Sequence, residues 1–185
     1  MNSNLPTGTV TFLYTDIEGS ASLWESEPEP MRAAQQRHDA LLQQAIAAHG
    51  GVAYKIIGDA FQAAFAVSAQ ALAAALAAQR SLAAEAWPTS VPLRVRMGLH
   101  AGQAEAQAGD YVTTHTLNRV ARIMSAGHGG QILLSEAAAE LARDDWPAGI
   151  RLRDLGQHRV KGMAQPEHLF QVVAPDLPAD FPPLN

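Results

Sequence analysis

Cysteine is absent from this chain of 185 residues, which excludes a disulfide framework and a thiolate metal site. Long apolar runs are missing too. Although 48% of the residues are hydrophobic, no stretch of about 18 consecutive apolar residues occurs, so we expect no membrane-spanning helix and no membrane partner. The amino terminus carries no basic segment followed by an apolar one, so a secretory signal is not indicated. Together these absences predict a cytoplasmic location.

Basic clusters and metal-binding histidine patterns are also missing. The 13 lysines and arginines are scattered and are outnumbered by 18 acidic residues, which gives a formal net charge of −5. Proteins that bind duplex nucleic acid through its phosphates show the opposite imbalance, so we expect no nucleic-acid partner for this domain. The seven histidines repeat at no metal-binding spacing, and we interpret His100 as a hydrogen-bonded core or rim residue.

An ordered series of strand and helix patterns is present, and the chain is long enough for one sizeable core. The predicted elements are a strand over 9–17, a helix from about Met31 to Ala48, a hairpin turning at 58–59, an alanine-rich helix from Ser68 to near Trp87, a strand over 91–102, a helix containing Asn118, a strand over 131–135, a helix near 136–142 and strands over 150–173. This βαββαβ order with further αβ units predicts an α+β protein with a ferredoxin-like core. The proline-rich residues 175–185 are interpreted as a linker or docked tail after a domain over 1–174.

Two aspartates occur where a carboxylate is costly to bury. Asp16 ends the first predicted strand, and Asp59 occupies the hairpin turn. The first strand and the hairpin are commonly neighbours in a βαββαβ sheet, so the two carboxylates are expected to converge. Such hard oxygen ligands suit Mg²⁺ or Mn²⁺. Taken singly, Asp59 is also a favoured turn residue and Asp16 a cap for the next segment, and these alternatives stay open.

Three further polar side chains are candidates for a nucleotide site. Lys55 stands in the apolar strand before Asp59, where it either reaches solvent at the rim or donates to a ring nitrogen of a purine. Asn118 and Arg122 share one helix face if a helix begins near Thr114. Arginine suits the charge of a phosphoryl transition state and asparagine a sugar oxygen, but a solvated helix face fits the same spacing.

Five segments from about Gly8 to Val173 resemble the class III nucleotidyl cyclase catalytic domain, the adenylate/guanylate cyclase family, and most closely its bacterial branch, in which the domain often begins a longer regulatory protein. The segments are "FLYTDIEGSASLW", "HGGVAYKIIGDAFQAAF", "RVRMGLHAGQAE", "LNRVARIMSAGHGGQILLS" and "LGQHRVKGM". Each alone is modest, whereas their order and spacing across nearly the whole chain are specific. The resemblance implies the class III cyclase fold and identifies residues 1–174 as its catalytic domain.

The resemblance also implies a role for each candidate residue. The implied roles are metal binding by Asp16, Asp59 and the Ile17 carbonyl, purine reading by Lys55, ribose positioning and α-phosphate stabilisation by Asn118 and Arg122, and contact with the terminal phosphates by Lys161. Two Mg²⁺ or Mn²⁺ ions are implied per site. In the family the two halves of a site come from opposite chains, so the resemblance implies a homodimer with two composite sites.

The implied reaction converts ATP to 3′,5′-cyclic AMP and pyrophosphate. A guanylate cyclase, or a weak or inactive nucleotide-binding and dimerisation module that regulates an attached domain, remains as an alternative. A diguanylate cyclase is not indicated, because the hairpin reads "IIGDAF" and lacks the Gly-Gly-Asp/Glu-Glu-Phe type of signature.

The choice of purine depends on Lys55 and one acidic partner. Adenine has an acceptor at N1 and a donor at N6, so a lysine with an acid is complementary to it, and guanine reverses both features. The resemblance suggests Asp110 as the acid, but the family places this acid seven residues before the asparagine, and Asp110 precedes Asn118 by eight. Tyr111 occupies the usual spacing. Either a one-residue bulge brings Asp110 to the base, or Tyr111 faces it.

Overall fold

The computed structural model describes residues 5–112 and 115–185. The strands are β1 (Gly8–Ile17), β2 (Val52–Ile57), β3 (Ala60–Phe65), β4 (Val95–Ala104), β5 (Ala106–Gln107), β6 (Asp110–Tyr111), β7 (Ile132–Ser135), β8 (Arg151–His158) and β9 (Glu167–Val173). The helices are α1 (Ser20–Ser26), α2 (Pro28–Ala48), α3 (Ser68–Ala84), α4 (His115–Ala126) and α5 (Glu136–Ala142). None of the helices in this part of the chain has both the length and the apolarity needed to cross a bilayer.

The strands form a seven-stranded sheet in the order β2-β3-β1-β4-β7-β9-β8 and a separate β5–β6 hairpin. β1 pairs antiparallel with β3 and β4, and β4 pairs parallel with β7. The elements β1-α2-β2-β3-α3-β4 and the strand order β2-β3-β1-β4 make up a ferredoxin-like half, to which the later strands add the remainder. The predicted α+β fold with a βαββαβ core and additional C-terminal elements is confirmed.

The two faces of the sheet have different covers. Alternate residues of a strand point to opposite faces, and Leu13 and Ile17 belong to the core that packs against α2, α3 and α5. Phe12 and Tyr14 point the other way and join a smaller core with Val120 of α4. We call this second side the α4 face. Asp16 has the same parity along β1 as Tyr14, so the α4 face carries the predicted metal ligand.

Helix α4 lies very close to the sheet because β4 has a glycine beneath it. A Cβ atom added to Gly98 would lie 2.6 Å from the backbone nitrogen of Met124 and 2.7 Å from its Cα. Gly98 is also paired with Tyr14 of β1, in the middle of the sheet. The missing side chain therefore sets the depth at which α4, with Asn118 and Arg122, is seated.

Some element boundaries differ from the sequence-based expectation. β4 begins at Val95 rather than at Val91, which is 52% exposed and lies outside the sheet. α2 begins at Pro28 rather than near Met31, with proline in the first turn where its missing N–H is tolerated. Helix α1 and the β5–β6 hairpin were not predicted. α1 has no fully buried residue, and each hairpin strand has only two residues, so neither produces a clear apolar period.

Residues 175–185, which we call the tail, have no helix or strand but pack against the domain. Asp176 forms an ion pair with Arg80 of α3, with oxygen and nitrogen 2.6 Å apart. At the other end, the backbone N–H of Asn185 donates to the Ala126 carbonyl at 2.9 Å. Leu184 packs into the small core beneath the end of α4. The tail thus runs from α3 to the carboxyl end of α4.

His100 lies buried in the middle of β4, with 4% of its surface exposed. Its Nδ1 is 2.8 Å from the hydroxyl of Ser135, and that hydroxyl also accepts the Ala138 N–H at the start of α5. Burial, aided by the positive charge of Arg119, lowers the pKa of His100 to about 4. The imidazole is therefore neutral in the folded protein near neutral pH.

The free energy of unfolding is expected to fall as the pH is lowered from the ordinary histidine value of 6.5 towards about 4. In this window the unfolded chain binds a proton on His100 and the folded chain does not, so acid favours unfolding by up to about 1.4 kcal/mol per pH unit. Denaturant unfolding of wild type and His100→Gln at several pH values measures this contribution. Identical pH slopes for the two proteins would contradict it.

Candidate active site

The two predicted metal aspartates lie at the same end of the sheet. Asp16 is at the end of β1, and Asp59 is in the turn between β2 and β3, which the antiparallel pairing of β3 with β1 brings alongside. The Asp59 Oδ2 atom accepts the backbone N–H of Ile17 at 2.7 Å. Its other oxygen lies 3.4 Å from the hydroxyl of Ser20. The turn carboxylate is thereby fixed against the peptide that follows Asp16.

Arg96, which was not among the residues predicted from the sequence, holds the Asp16 carboxylate. The register of β1 and β4 places the two residues opposite each other. The Nε of Arg96 donates to one carboxylate oxygen at 2.7 Å and Nη2 to the other at 2.5 Å. The Asp16 carboxylate, together with Glu18 and Asp59, raises the pKa of Arg96. The strand pattern could have identified Arg96 as a residue of the other face, since it alternates with the inward-facing Val95 and Met97.

This donor set fits a hard divalent cation. The Asp16 oxygens each accept one arginine donor, and a carboxylate has about four lone-pair sites in all, so acceptor capacity remains. Asp59 adds a second carboxylate and binds the N–H of Ile17, the residue whose carbonyl is the third predicted ligand. Within residues 5–112 and 115–185, no group of three or more histidine, aspartate or glutamate side chains forms a metal cage. A divalent ion held by these residues would take its other ligands from water and substrate phosphates, as is usual for Mg²⁺.

Lys55 and Asp110 form an ion pair at the edge of the α4 face. Lys55 is on β2, in the same row of the sheet as Tyr14, and its ammonium binds the Asp110 carboxylate. The lysine and aspartate side chains are 42% and 41% exposed, so a planar ligand has access to both. The hydrogen bond from Lys55, with a second from the Tyr111 N–H, lowers the pKa of Asp110 and keeps it ionised.

Tyr111, the other candidate for this position, points into the core. Its ring is buried and makes edge-to-face contacts with Phe12 and Tyr54, each with ring centroids 4.9 Å apart. Its hydroxyl donates to the Pro6 carbonyl at 2.7 Å. The β5–β6 hairpin thus turns Asp110, rather than Tyr111, towards Lys55. Residues 113–114, including the expected helix start at Thr114, lie outside the described residues.

Helix α4 presents Asn118 and Arg122 on its exposed side. Val120 and Ile123 are fully buried and fix the rotation of the helix. Arg119 adds an ion pair with the almost buried Glu167 of β9, at 3.3 Å. The spacing of one helical turn therefore places the amide and the guanidinium on one face, above the sheet.

Lys161 lies in an exposed loop before β9, and this loop touches Arg122. The contact is made by the next residue, Gly162, because a Cβ atom built there would lie 2.9 Å from the Cζ atom of Arg122. The predicted terminal-phosphate lysine and the predicted α-phosphate arginine are therefore neighbours.

The site residues thus form three sets, named by what each is predicted to bind. The metal group is Asp16 and Asp59, the base-binding group is Lys55 and Asp110, and the phosphate-binding group is Arg122 and Lys161. Within the part of the chain that the structure describes, no hydrogen bond or ion pair joins one group to another. No hydrogen bond of the Asn118 side chain occurs there either.

Comparison with known proteins identifies the family. Residues 3–173 match the family model described as the adenylate and guanylate cyclase catalytic domain. The chain belongs to this family. An uncharacterized protein of Mycobacterium tuberculosis (strain H37Rv) is 41% identical to this cyclase domain over 182 residues, which cover 97% of this chain and 61% of that protein. An adenylate cyclase of Podospora anserina is 28% identical over 222 residues, covering 90% of this chain and 10% of its own.

Solved structures show the same fold. Adenylate cyclases of Trypanosoma brucei in their monomeric state match with a TM-score of 0.84 at 24% identity, covering 98% of this chain and 95% of theirs. The adenylyl cyclase CyaB of P. aeruginosa matches with a TM-score of 0.73 at 24% identity, covering 94% and 98%. The cyclase domain described here spans less than two thirds of the curated relatives named above.

Proposed function

We propose that this cyclase domain converts ATP to 3′,5′-cyclic AMP and pyrophosphate at two composite sites of a homodimer. The half-exposed ion pair of Lys55 and Asp110 carries the proposal. The lysine ammonium donates to N1 of adenine, and the aspartate accepts from the N6 amino group. Guanine has an N–H at position 1 and a carbonyl at position 6, so the same pair would oppose it.

The reaction is an in-line transfer within one molecule, and most of the catalysis comes from positioning and charge stabilisation. The ribose 3′-hydroxyl loses its proton to water, and its oxygen forms a bond to the α-phosphorus while the bond from the α-phosphorus to the leaving pyrophosphate breaks. Asn118 holds the ribose, Arg122 donates to the α-phosphate oxygens as their charge redistributes, and Lys161 binds the leaving phosphates. A divalent ion bound by Asp16, Asp59 and the Ile17 carbonyl supplies Lewis acidity, and the proposed site takes two such ions, Mg²⁺ or Mn²⁺.

The homodimer is part of the proposal because the resemblance to the cyclase family implies it, and no hydrogen bond or ion pair joins the three groups within the described part of one chain. In the proposed assembly, the metal group of one protomer faces the base-binding group and the phosphate-binding group of its partner. A C2 arrangement repeats this contact twice, so the dimer has two equivalent sites and the monomer has no complete site.

The direct test incubates the purified protein with ATP or GTP, each with Mg²⁺ or Mn²⁺, and measures cyclic nucleotides by chromatography. We expect cyclic AMP from ATP, formed faster than cyclic GMP from GTP. Cyclic GMP as the main product would overturn the base assignment. No cyclic product under any of the four conditions would overturn the activity and favour a nucleotide-binding module.

Substitution of Lys55 by methionine is expected to lower kcat/KM for ATP by about 10–100-fold, with a much smaller effect for GTP. A hydrogen bond to a charged group contributes about 1.5–3 kcal/mol, and losing that free energy corresponds to a loss in kcat/KM of this size. Lys161→Met is the matched control, because it removes the same charge from the part of the site that contacts the triphosphate. It should weaken both nucleotides alike, and equal losses for ATP and GTP in Lys55→Met would contradict base reading.

A further inference from the structure

We propose that Gly162 is a positioning residue for Arg122. Because Gly162 has no side chain, the guanidinium of Arg122 can pack directly against its backbone. The proposal rests on the proposed function, since it assigns a catalytic consequence to that contact. A Cβ atom at Gly162 would lie 2.9, 3.0 and 3.1 Å from Cζ, Nε and Nη2 of Arg122. Because the central Cζ is nearest and the two nitrogens are almost as close, the flat face of the guanidinium, and not its edge, is turned towards Gly162.

The turn that carries Gly162 is itself fixed to α4. The N–H of Met163 donates to the Val160 carbonyl at 3.0 Å and closes the turn. Val160 is buried with Ile123, the residue after Arg122, in one small core. The glycine and the arginine therefore belong to one packed unit, and the turn that carries Gly162 cannot move away from α4 without opening that core.

Backbone conformation alone does not account for this glycine. Gly162 has φ +84°, a left-handed conformation that other residues rarely adopt. Gly156, in β8, has a similar φ of +78°, but nothing lies within 4 Å of a Cβ atom built there. The two glycines therefore share the same backbone requirement and differ in the presence of Arg122. This makes Gly156 a matched control.

The consequence of a methyl group at Gly162 is a shifted guanidinium rather than an unfolded domain. The obstacle is the far end of a flexible side chain, which can move aside at little energetic cost. Displacement by about 1 Å is nevertheless enough to lower a rate by about 10²-fold when alignment matters. Arg122 would remain present and charged but would no longer point at the α-phosphate.

The kinetic experiment compares Gly162→Ala with Gly156→Ala. Both variants carry the strain of a left-handed alanine, so similar, modest losses of stability are expected. Gly162→Ala should lower kcat by about 10–100-fold with a smaller change in KM, whereas Gly156→Ala should keep kcat close to wild type. In an Arg122→Ala background, Gly162→Ala should cause no additional loss, because the group that it displaces is gone. Equal kcat losses in the two glycine variants, or full additivity with Arg122→Ala, would overturn the proposal.

A second readout separates this inference from the activity. The Nε–H resonance of Arg122, assigned by its loss in Arg122→Lys, reports the guanidinium environment by NMR in nucleotide-free protein. We expect it to move in Gly162→Ala and to stay in place in Gly156→Ala. If the wild type forms no cyclic nucleotide but this difference is seen, the positioning stands and the proposed function fails. An unchanged resonance in Gly162→Ala refutes the positioning, whatever the activity.

Discussion

Asp59→Asn and Arg122→Ala are each expected to be inactive, and an equal mixture of the two is expected to recover about a quarter of wild-type activity. Asparagine keeps an oxygen that accepts the Ile17 N–H but loses the negative charge of the proposed metal ligand. Alanine at position 122 removes the guanidinium. Each change should lower kcat by at least about 10²–10³-fold, the effect of removing one aligned electrostatic group.

The recovery follows from the symmetry of the proposed dimer. Random exchange of subunits makes half of the dimers mixed, and each mixed dimer contains one site with both substitutions and one site with neither. One intact site in half of the dimers gives about a quarter of the wild-type number of sites. The measurement is the rate of cyclic AMP formation against mixing ratio.

The matched control mixes Asp59→Asn with Asp16→Asn, which alter the same half of the site. Every site in that mixture has a damaged metal group, so no activity should return. If the mixture of Asp59→Asn and Arg122→Ala also stayed inactive while subunits exchange, both groups would have to come from one chain and the composite site would be wrong.

Gly98→Val is expected to lower the free energy of unfolding by about 3–5 kcal/mol, which is large for one substitution. The first added carbon would already be 2.6–2.8 Å from the backbone and Cβ of Met124, and a helix backbone cannot step aside like the end of a side chain. Helix α4 must lift from the sheet, which opens the core formed by Val120 and Phe12. Denaturant unfolding followed by circular dichroism measures the loss.

Gly127→Ala is the control for this substitution. Gly127 lies directly after α4 and is also buried, but the nearest atom to a Cβ built there is the terminal Cδ1 of Leu133, at 3.1 Å. That methyl group can rotate away, so a loss well below that of Gly98→Val is expected. Comparable losses in both variants would show that the depth of α4 is not set by Gly98.

The sequence predicted the core of the fold well because the apolar periods are strong there. Val10, Phe12 and Tyr14 alternate along β1 with Leu13 and the other residues of the opposite face, and the structure separates them into two cores. Helix α1 has no buried residue, so its sequence lacks an apolar period, and it was not predicted for that reason.

The candidate site was predictable only as far as residue type and motif spacing allow. The choice between Asp110 and Tyr111 depends on the β5–β6 turn, where Ala108 and Gly109 both have positive φ, and an alanine gives no sign of this in advance. Arg96 required the register of β1 and β4. The contact between Gly162 and Arg122 joins positions that are far apart in the sequence and has no local pattern at all.

The docked tail has a mechanical consequence. Its last residue is hydrogen-bonded to the end of α4, and Leu184 shares a small core with Val160 beside the Lys161 loop. A load applied at residue 185 therefore acts directly on the carboxyl end of α4 and on the core beside the Lys161 loop. A surface tether or a fused protein attached after Asn185 would therefore pull on the elements that carry Arg122 and Lys161.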